Sequence, residues 1–312
     1  MHLVADIGAT NARFRLCGDQ GWGGEAWLTE TSRFTSANAL LIAAQAALEL
    51  DDVELEGATL AVAGPWVDGV VTITNTGLVL SEAECCGVFK APVAIVNDFF
   101  ALAYGVPHFS ALHQLGGGSP SRHTKAILGP GSGLGMASLE PTDHGWVVLS
   151  GEGGHADLAP GNHLEAELWS LMMAEFGHVS WETVLSGNGI VNLYRAMCAT
   201  WGNTPEPLTA AEISHNGQEM TDLVCHQTLE TFAGILGAAA GNLALTVGAV
   251  GGVYIGGGIA PRMIDFLKTA PLRRRFEEKG KMSEYVAEIP LLIVTEEAPG
   301  LIGARAFAFS NS

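Results

Sequence analysis

The chain opens twice in the same way. Leu3 to Ile7 form an apolar run interrupted by Asp6, and the turn Asp6-Ile7-Gly8-Ala9-Thr10-Asn11 leads back into Ala12 to Cys17 and then Ala26 to Thr29. Much later, Ala126-Ile127-Leu128 runs into Gly129-Pro130-Gly131-Ser132-Gly133-Leu134-Gly135, followed by Met136 to Leu139 and Trp146 to Leu149. Short apolar runs bounded by glycine read as buried strands, and Phe14 and Leu16 alternating with Arg13 and Arg15 show the period of two of a half-covered strand. Two meanders of strand, glycine turn, strand, strand restrict the chain to a mixed α/β layer fold with a structural duplication, not a plain alternating array.

Each meander is followed by strands mixed with helices. In the first half, Ser36 opens a helix to Glu49, with Leu40, Leu41, Ala44 and Leu48 on its apolar side. Strands are expected at Thr59 to Ala63 and Val70 to Thr74, and Ser81-Glu82-Ala83-Glu84 has the form of a capping box. Val93 to Val96 is a strand that stops on Asn97-Asp98, with a helix from Phe99 to Tyr104. Gly116 to Ser121 is the most linker-like segment.

The second half is richer in helices. Leu164, Leu168, Leu171, Met172 and Phe176 share one helical face. Ser180 caps a helix carrying Glu182, Ile190 to Thr200 is another, and Thr209-Ala210-Ala211-Glu212 is a second capping box. Glu219 to Thr246 reads as one long small-residue helix. Val253 to Ile255 is a strand running into Gly256-Gly257-Gly258, and Pro261 starts a helix. Pro290 to Thr295 is the last strand, and Pro299 to Phe309 is a last helix that packs back on the first half.

Composition bounds the function. Of 312 residues 48% are hydrophobic and 15% charged, enough for a sizeable core. A net charge of −18 argues against nucleic acid or an anionic membrane as the main partner. It leaves room for phosphate, which backbone amides bind locally. With 15 Lys and Arg in all, a nucleotide must be held mostly by glycine loops and a metal. Five cysteines without metal spacing fit a reduced, cytoplasmic protein, and no leader is read before Leu3. The apolar stretch near Leu236 to Val250 is broken by Asn242 and several glycines, so it is not read as membrane-spanning.

Four stretches carry chemistry. Asp98, at a strand end beside the Asn97 amide, suits a general base on a bound hydroxyl; the rival reading is a helix cap. In the first turn, Gly8 lets a phosphate approach the backbone, Thr10 and Asn11 add polar groups, and Asp6 suits Mg²⁺ held through water. The turn from Gly131 to Gly135 has the composition of an anion nest, and Gly256 to Gly258 lets a flat ring lie against backbone. Glu152 and His155, in Gly151-Glu152-Gly153-Gly154-His155, suit a polyol better than a metal. The bland reading of Glu182 is a negative charge at a helix start.

Taken together, Asp6-Ile7-Gly8-Ala9-Thr10-Asn11-Ala12-Arg13, Val96-Asn97-Asp98-Phe99, Gly131 to Gly135 and Gly151 to His155 resemble bacterial glucokinases of the hexokinase/actin-like ATPase superfamily. Leu185-Ser186-Gly187, Val191-Asn192-Leu193-Tyr194-Arg195 and Gly257-Gly258-Ile259-Ala260-Pro261-Arg262 extend the resemblance along nearly the whole chain. The Cys-x-Cys zinc signature of the related repressor and sugar-kinase (ROK) type is not found.

The resemblance implies a two-lobed actin-like (ribonuclease H-like) ATPase fold with a duplicated mixed-sheet core. It implies a small domain of residues 1–108 plus the helix 299–312, a larger domain of 109–298, and an active site in the cleft between them. It implies phosphorylation of D-glucose to glucose 6-phosphate by ATP with Mg²⁺, feeding glycolysis, in a cytoplasmic homodimer. Asp98 would be the base on the 6-hydroxyl, and Asn97, Asp98, Glu152, His155 and Glu182 would bind the sugar. Ala5, Asp6, Ile7, Gly8, Ala9, Thr10, Asn11, Gly131, Ser132 and Gly133 would hold phosphates, and Gly256, Gly257 and Gly258 the adenine. The family has a second glycine where this chain has Ala9, a methyl that asks for negative φ and room. A kinase for another hexose or amino sugar, or a catalytically idle sugar sensor on the same fold, are the alternatives.

Overall fold

The computed structural model describes residues 1–64, 66, 67, 69–73 and 76–310, with the backbone alone for Trp66 and Val67. The expected strand end at Thr74 and the last two residues of the expected C-terminal segment lie outside them. Two units are defined by internal packing. The first comprises Met1–Ser110, His144–Val148 and Glu296–Ser312; the second comprises Ala111–Asp143 and Leu149–Thr295.

In the first unit the chain forms β1 (His2–Ile7), β2 (Asn11–Gly18) and β3 (Gly21–Glu30), then α1 (Ala37–Ala47) and β4 (Gly57–Val62). Three short strands follow, β5 (Trp66–Val67), β6 (Val70–Thr72) and β7 (Val79–Ser81), which make a small sheet of their own. Then come α2 (Glu82–Phe89), β8 (Val93–Asn97) and α3 (Asp98–Gly105). The main sheet has the order β3-β2-β1-β4-β8. β1 is antiparallel to β2, with Ile7 opposite Ala12, and parallel to β4, with Asp6 opposite Ala61.

The reason β1 is apolar on both sides is now plain. Leu3, Ala5 and Ile7 pack with Phe14, Leu40, Leu41 and Leu60 in one core. Val4 turns to the other face and packs with Cys17, Ala61, Ala101, Leu301 and Ala304. Successive strand side chains alternate between faces, so Asp6 shares the side of Val4. That side is covered by α3 and by the C-terminal helix Pro299–Ala308.

The second unit begins with β9 (Leu112–Gly116), β10 (Lys125–Pro130) and β11 (Leu134–Thr142); β12 (Gly145–Gly151) follows, its residues to Val148 counted with the first unit and the rest with the second. Five helices follow: α4 (His163–Phe176), α5 (Trp181–Val184), α6 (Gly187–Thr200), α7 (Ala210–Gln218) and α8 (Leu223–Val247). β13 (Val253–Ile255), α9 (Ile264–Thr269), α10 (Leu272–Glu277), α11 (Ser283–Ala287) and β14 (Leu291–Val294) complete it. The sheet order is β12-β11-β10-β13-β14-β9. Its run β12-β11-β10-β13-β14 repeats the first sheet, a meander and then two parallel strands, with β9 added at the edge. The duplication expected from the two openings is a duplication of topology.

Several expected boundaries move. α1 stops at Ala47 because Glu49 takes a left-handed conformation, φ 52°. The long helix begins at Leu223, four residues later than expected: Met220 has φ 57° and Asp222 caps the Cys225 amide at 2.8 Å. Pro261 lies in a 3₁₀ turn, Ala260–Met263, ahead of α9. On α4, Leu168 and Met172 are buried but Leu171 and Phe176 face solvent, so the apolar stripe is narrower than the sequence suggested. Gly116 is the last residue of β9, not a linker.

Among the described residues α8 alone is long and apolar enough to cross a bilayer, but two-thirds of its most apolar window is buried in the protein. Its small residues serve packing. A Cβ on Gly237 would strike the Leu272 carbonyl, and one on Gly241 the Phe276 carbonyl, so α10 lies directly on the α8 backbone.

Candidate active site

The β1–β2 turn is closed by the Gly8 amide donating to the Asn11 carbonyl at 2.9 Å. Thr31, fully buried after β3, fastens it: its hydroxyl donates to the Gly8 carbonyl at 2.8 Å and its amide to the Thr10 carbonyl at 2.9 Å. Ala9 is not in the left-handed region, so its methyl costs no backbone strain. A Cβ at Gly8 would meet nothing nearer than 3.4 Å, so the fold does not itself demand glycine there. Ala5 and Ile7 have fully buried side chains, and their part is to hold Asp6 and Gly8 at the strand end.

The β8–α3 junction resolves the question of which residue caps. Asn97 is the N-cap, its Oδ1 accepting the Phe99 amide at 2.9 Å and the Phe100 amide at 3.1 Å. Asp98 stands one residue inside the helix and accepts the Phe99 amide at 2.9 Å. Because Asn97 does the capping, the second Asp98 oxygen is not needed for it. Burial lifts the Asp98 carboxyl above its ordinary range, against the hydrogen bonds from the Phe99 and Asp98 amides. Burial likewise lifts Asp6 to about 6, helped by the Asp98 charge and opposed by Arg13. Two desolvated carboxylates therefore influence one another in this unit.

The second unit gathers the other candidates. The 131–134 turn continues β10 into β11, where Pro130 pairs with Leu134. The Gly131 amide donates to the Gly133 carbonyl at 2.8 Å, and the Gly187 amide donates to the Gly131 carbonyl at 2.8 Å. Glu182 on α5 accepts the Leu134 amide at 2.8 Å. A Cβ at Gly133 would fall 2.5 Å from Glu182 Oε2, so this glycine makes room for the carboxylate. Two of the turn's amides, those of Gly131 and Leu134, are thus engaged within the protein. Those two amides are therefore not available to the anion nest expected there.

His155 Nδ1 lies 4.0 Å from Glu182 Oε1. The 3₁₀ turn Gly153–His155 follows Glu152, whose carbonyl accepts the His155 amide at 3.0 Å. Gly154 has no room for a side chain, because a Cβ would strike the Leu134 carbonyl. The Trp181 amide donates to the Ala156 carbonyl at 3.0 Å, which ties this loop to the start of α5. Ser180 and Thr183 form a full capping box around Glu182. Glu152 and His155 are exposed and Glu182 is half-buried, so all three side chains reach solvent.

The third glycine cluster sits on the end of β10. The Gly256 amide donates to the Leu128 carbonyl at 2.9 Å and the Ile259 amide to the Pro130 carbonyl at 3.3 Å. Gly257 has φ 77° and its missing Cβ admits the Pro130 carbonyl, whereas Gly258 has nothing within 4 Å. The cluster therefore joins the Gly131 turn at Pro130, although 120 residues separate them in sequence.

Sequence reasoning did not single out Thr31 or the Leu134 amide. Thr31 carries no local signal, since its partners lie 21 and 23 residues earlier. Among the described residues no group of three or more His, Cys, Asp or Glu side chains is arranged to hold a metal. A lone Asp6 still suits Mg²⁺, which keeps several waters and takes one or two carboxylates together with substrate phosphates.

Two sheets that share one five-strand order, each with a glycine turn between the first two strands of its meander, define an actin-like ATPase fold. The Glucokinase family model matches residues 3–311. A glucokinase from Chromobacterium violaceum is 41% identical over 308 residues, covering 97% of this chain and 88% of its own. The crystal structure of a glucokinase from an Antarctic psychrotroph aligns with TM-score 0.87 and 38% identity, over 100% of this chain and 99% of its own. A ROK-family glucokinase from Streptomyces griseus, crystallised with glucose and AMPPNP, shares the fold at TM-score 0.63 and 19% identity, over 97% of each chain. The chain belongs to the glucokinase family.

Proposed function

We propose that the protein transfers the terminal phosphoryl group of ATP to the 6-hydroxyl of D-glucose. The observation that carries this reading is the meeting of Glu182 with His155 on one side and with the 131–134 turn on the other. A pair suited to sugar hydroxyls and a turn suited to phosphate meet at one carboxylate, which supports the reading of a sugar kinase.

In this reading Glu152, His155, Glu182 and the Asn97 side-chain amide hold hydroxyls of the sugar. Asp98 accepts the 6-hydroxyl proton as that oxygen attacks, a role worth about 10²–10⁴-fold in rate. Asp98 suits it because backbone amides, that of Phe99 at Oδ1 among them, hold its carboxylate in orientation while Asn97 does the capping. The Gly8 to Asn11 turn and the Ser132 and Gly133 amides hold phosphates, with charge stabilisation the larger share of catalysis. Gly258, open on its side-chain face, leaves backbone against which adenine lies. Mg²⁺, held by Asp6 through water, would neutralise phosphate charge. Five free thiols fit a reducing, cytoplasmic setting. The homodimer implied by the resemblance is part of the same proposal and is tested by sedimentation.

The test is steady-state ADP release with ATP and Mg²⁺ against glucose, fructose, mannose, galactose, N-acetylglucosamine and no sugar. Release with glucose far above the rest is expected. Release with another sugar would keep the mechanism and change the substrate. No release from folded protein would favour the sugar sensor.

A further inference from the structure

Gly300 is buried in the first turn of the C-terminal helix. Its φ lies outside the left-handed region, so the backbone does not demand glycine. Helix propensity disfavours it, by about 1 kcal/mol relative to Ala in a helix interior. What excludes a side chain is Asp6: a Cβ at Gly300 would fall 2.5 Å from Asp6 Cγ and 3.1 Å from Oδ1. The carboxylate of β1 fills the space that a side chain of the helix would need. Gly303, one turn on, is a different case, since there a Cβ would strike the Ala101 carbonyl, a backbone contact between helices.

The same helix start has no anion of its own. Its N-cap is Ala298, which supplies no side-chain hydrogen bond; Pro299 stands in its first turn, and no acidic residue is found there. A helix N-terminus carries partial positive charge and unpaired amides, and it favours a carboxylate. The sheet supplies one. Alternation along β1 puts Asp6 on the side of Val4, which packs against Leu301 and Ala304.

We propose that Gly300 is a positioning residue for the reaction: by leaving out a side chain it seats the Asp6 carboxylate against the first turn of the C-terminal helix. This rests on the reading of Asp6 as a group that serves the nucleotide. An alanine at 300 must push the carboxylate away from the helix, and a displacement near 1 Å costs a reaction of this kind about 10²-fold.

The experiment compares Gly300→Ala, Asp6→Asn and the double variant in the full chain. Three quantities are read: kcat and KM for ATP, the melting temperature, and amide hydrogen exchange at residues 300–303. Gly300→Ala is expected to lower kcat roughly 10- to 100-fold with the melting temperature nearly unchanged, and the double variant to be no slower than Asp6→Asn. Asp6→Asn alone is expected to speed exchange at Gly300 and Leu301, the first-turn amides without an intrahelical partner, a readout that needs no change at Gly300 and stands even where Gly300→Ala folds poorly. Wild-type kcat in Gly300→Ala, a double-variant loss equal to the product of the single losses, or unchanged exchange in Asp6→Asn would overturn the inference. Near-normal turnover in Asp6→Asn would instead remove the reading of Asp6 on which the inference rests.

Discussion

Glu182 accepts the Leu134 amide at 2.8 Å while standing 4.0 Å from His155 Nδ1, so one side chain touches both the glycine turn and the polar loop. Its position in the first turn of α5 is also favourable for a negative charge, but that alone would not explain why Gly133 leaves room for it. The two contacts can be separated by substitution. Glu182→Gln keeps an oxygen for the Leu134 amide and loses the charge. It is expected to raise KM for glucose about 10- to 100-fold, the worth of a hydrogen bond to a charged group, with KM for ATP little changed. Glu182→Ala also leaves the Leu134 amide unpaired, at a cost of about 1–3 kcal/mol. It is expected to lower the melting temperature and to raise KM for ATP as well. Equal effects of the two variants on ATP would separate the turn from Glu182.

Asp98 and Asn97 divide the work at the end of β8. Since Asn97 supplies the cap, Asp98→Asn should leave α3 intact and glucose affinity near normal, while turnover falls about 10²–10⁴-fold. The pH dependence has a definite sign. A base must be ionised, and burial holds the Asp98 carboxyl above its usual range. Turnover should therefore fall as pH drops through a value higher than that of an exposed carboxylate. A kcat profile in which the acid limb lies at an ordinary carboxylate value, or a nearly active Asp98→Asn, would remove Asp98 from the base role.

Much of this was legible in the sequence because its signals are local. Period-two alternation marks β2, the Thr209 and Glu212 box caps α7 as written, and glycine clusters after apolar strands mark each turn. Pairing across the chain was not legible. Nothing in Ala298-Pro299-Gly300 announces that Asp6 is their neighbour, and Thr31 gives no sign that it fastens Gly8. Helices α9, α10 and α11 also escaped detailed reading. They are five or six residues long without side-chain caps, and packing makes them helical. The glycines differ in what holds them: Gly257 is required by the fold, Gly133 by Glu182, and Gly8 and Gly258 by neither.

That distinction is testable at adjacent positions. Gly257 has φ 77°, and a Cβ would meet the Pro130 carbonyl, so Gly257→Ala combines strain with a backbone clash. It should destabilise the protein by about 1–3 kcal/mol, seen as a lower melting temperature. Gly258→Ala meets nothing within 4 Å and should leave the melting temperature unchanged. If adenine lies against that backbone, the added methyl should raise KM for ATP several-fold with KM for glucose unaltered. Unchanged KM for ATP in Gly258→Ala would move the ring elsewhere.

Lys125 offers a test of the second core that does not depend on the reaction. It is buried at the start of β10, 6% exposed, and its Nζ donates to the Gly251 carbonyl at 3.0 Å and the Tyr254 hydroxyl at 3.1 Å. Burial pushes its pKa down from 10.5 to about 8. The unfolded chain therefore holds this proton more tightly, and the contribution of Lys125 to stability rises with pH between about 8 and 10.5. Below that window both states are protonated and the cost of burying the charge is constant. Other buried groups oppose this rise: burial raises Cys17 to about 11 and Cys85 and Cys225 to about 12, so thiol ionisation in the unfolded chain lowers stability above about pH 9, and Tyr254 and Tyr194, both raised to about 12, add to this above about pH 10. The slope due to Lys125 is isolated by comparison with Lys125→Met. Between pH 7.5 and 10, the stability of the wild type relative to Lys125→Met should climb by about 1–3 kcal/mol, at 1.36 kcal/mol per unit of pKa difference. Urea denaturation across that range measures it. A constant difference would mean that Lys125 keeps an ordinary affinity for its proton inside the core.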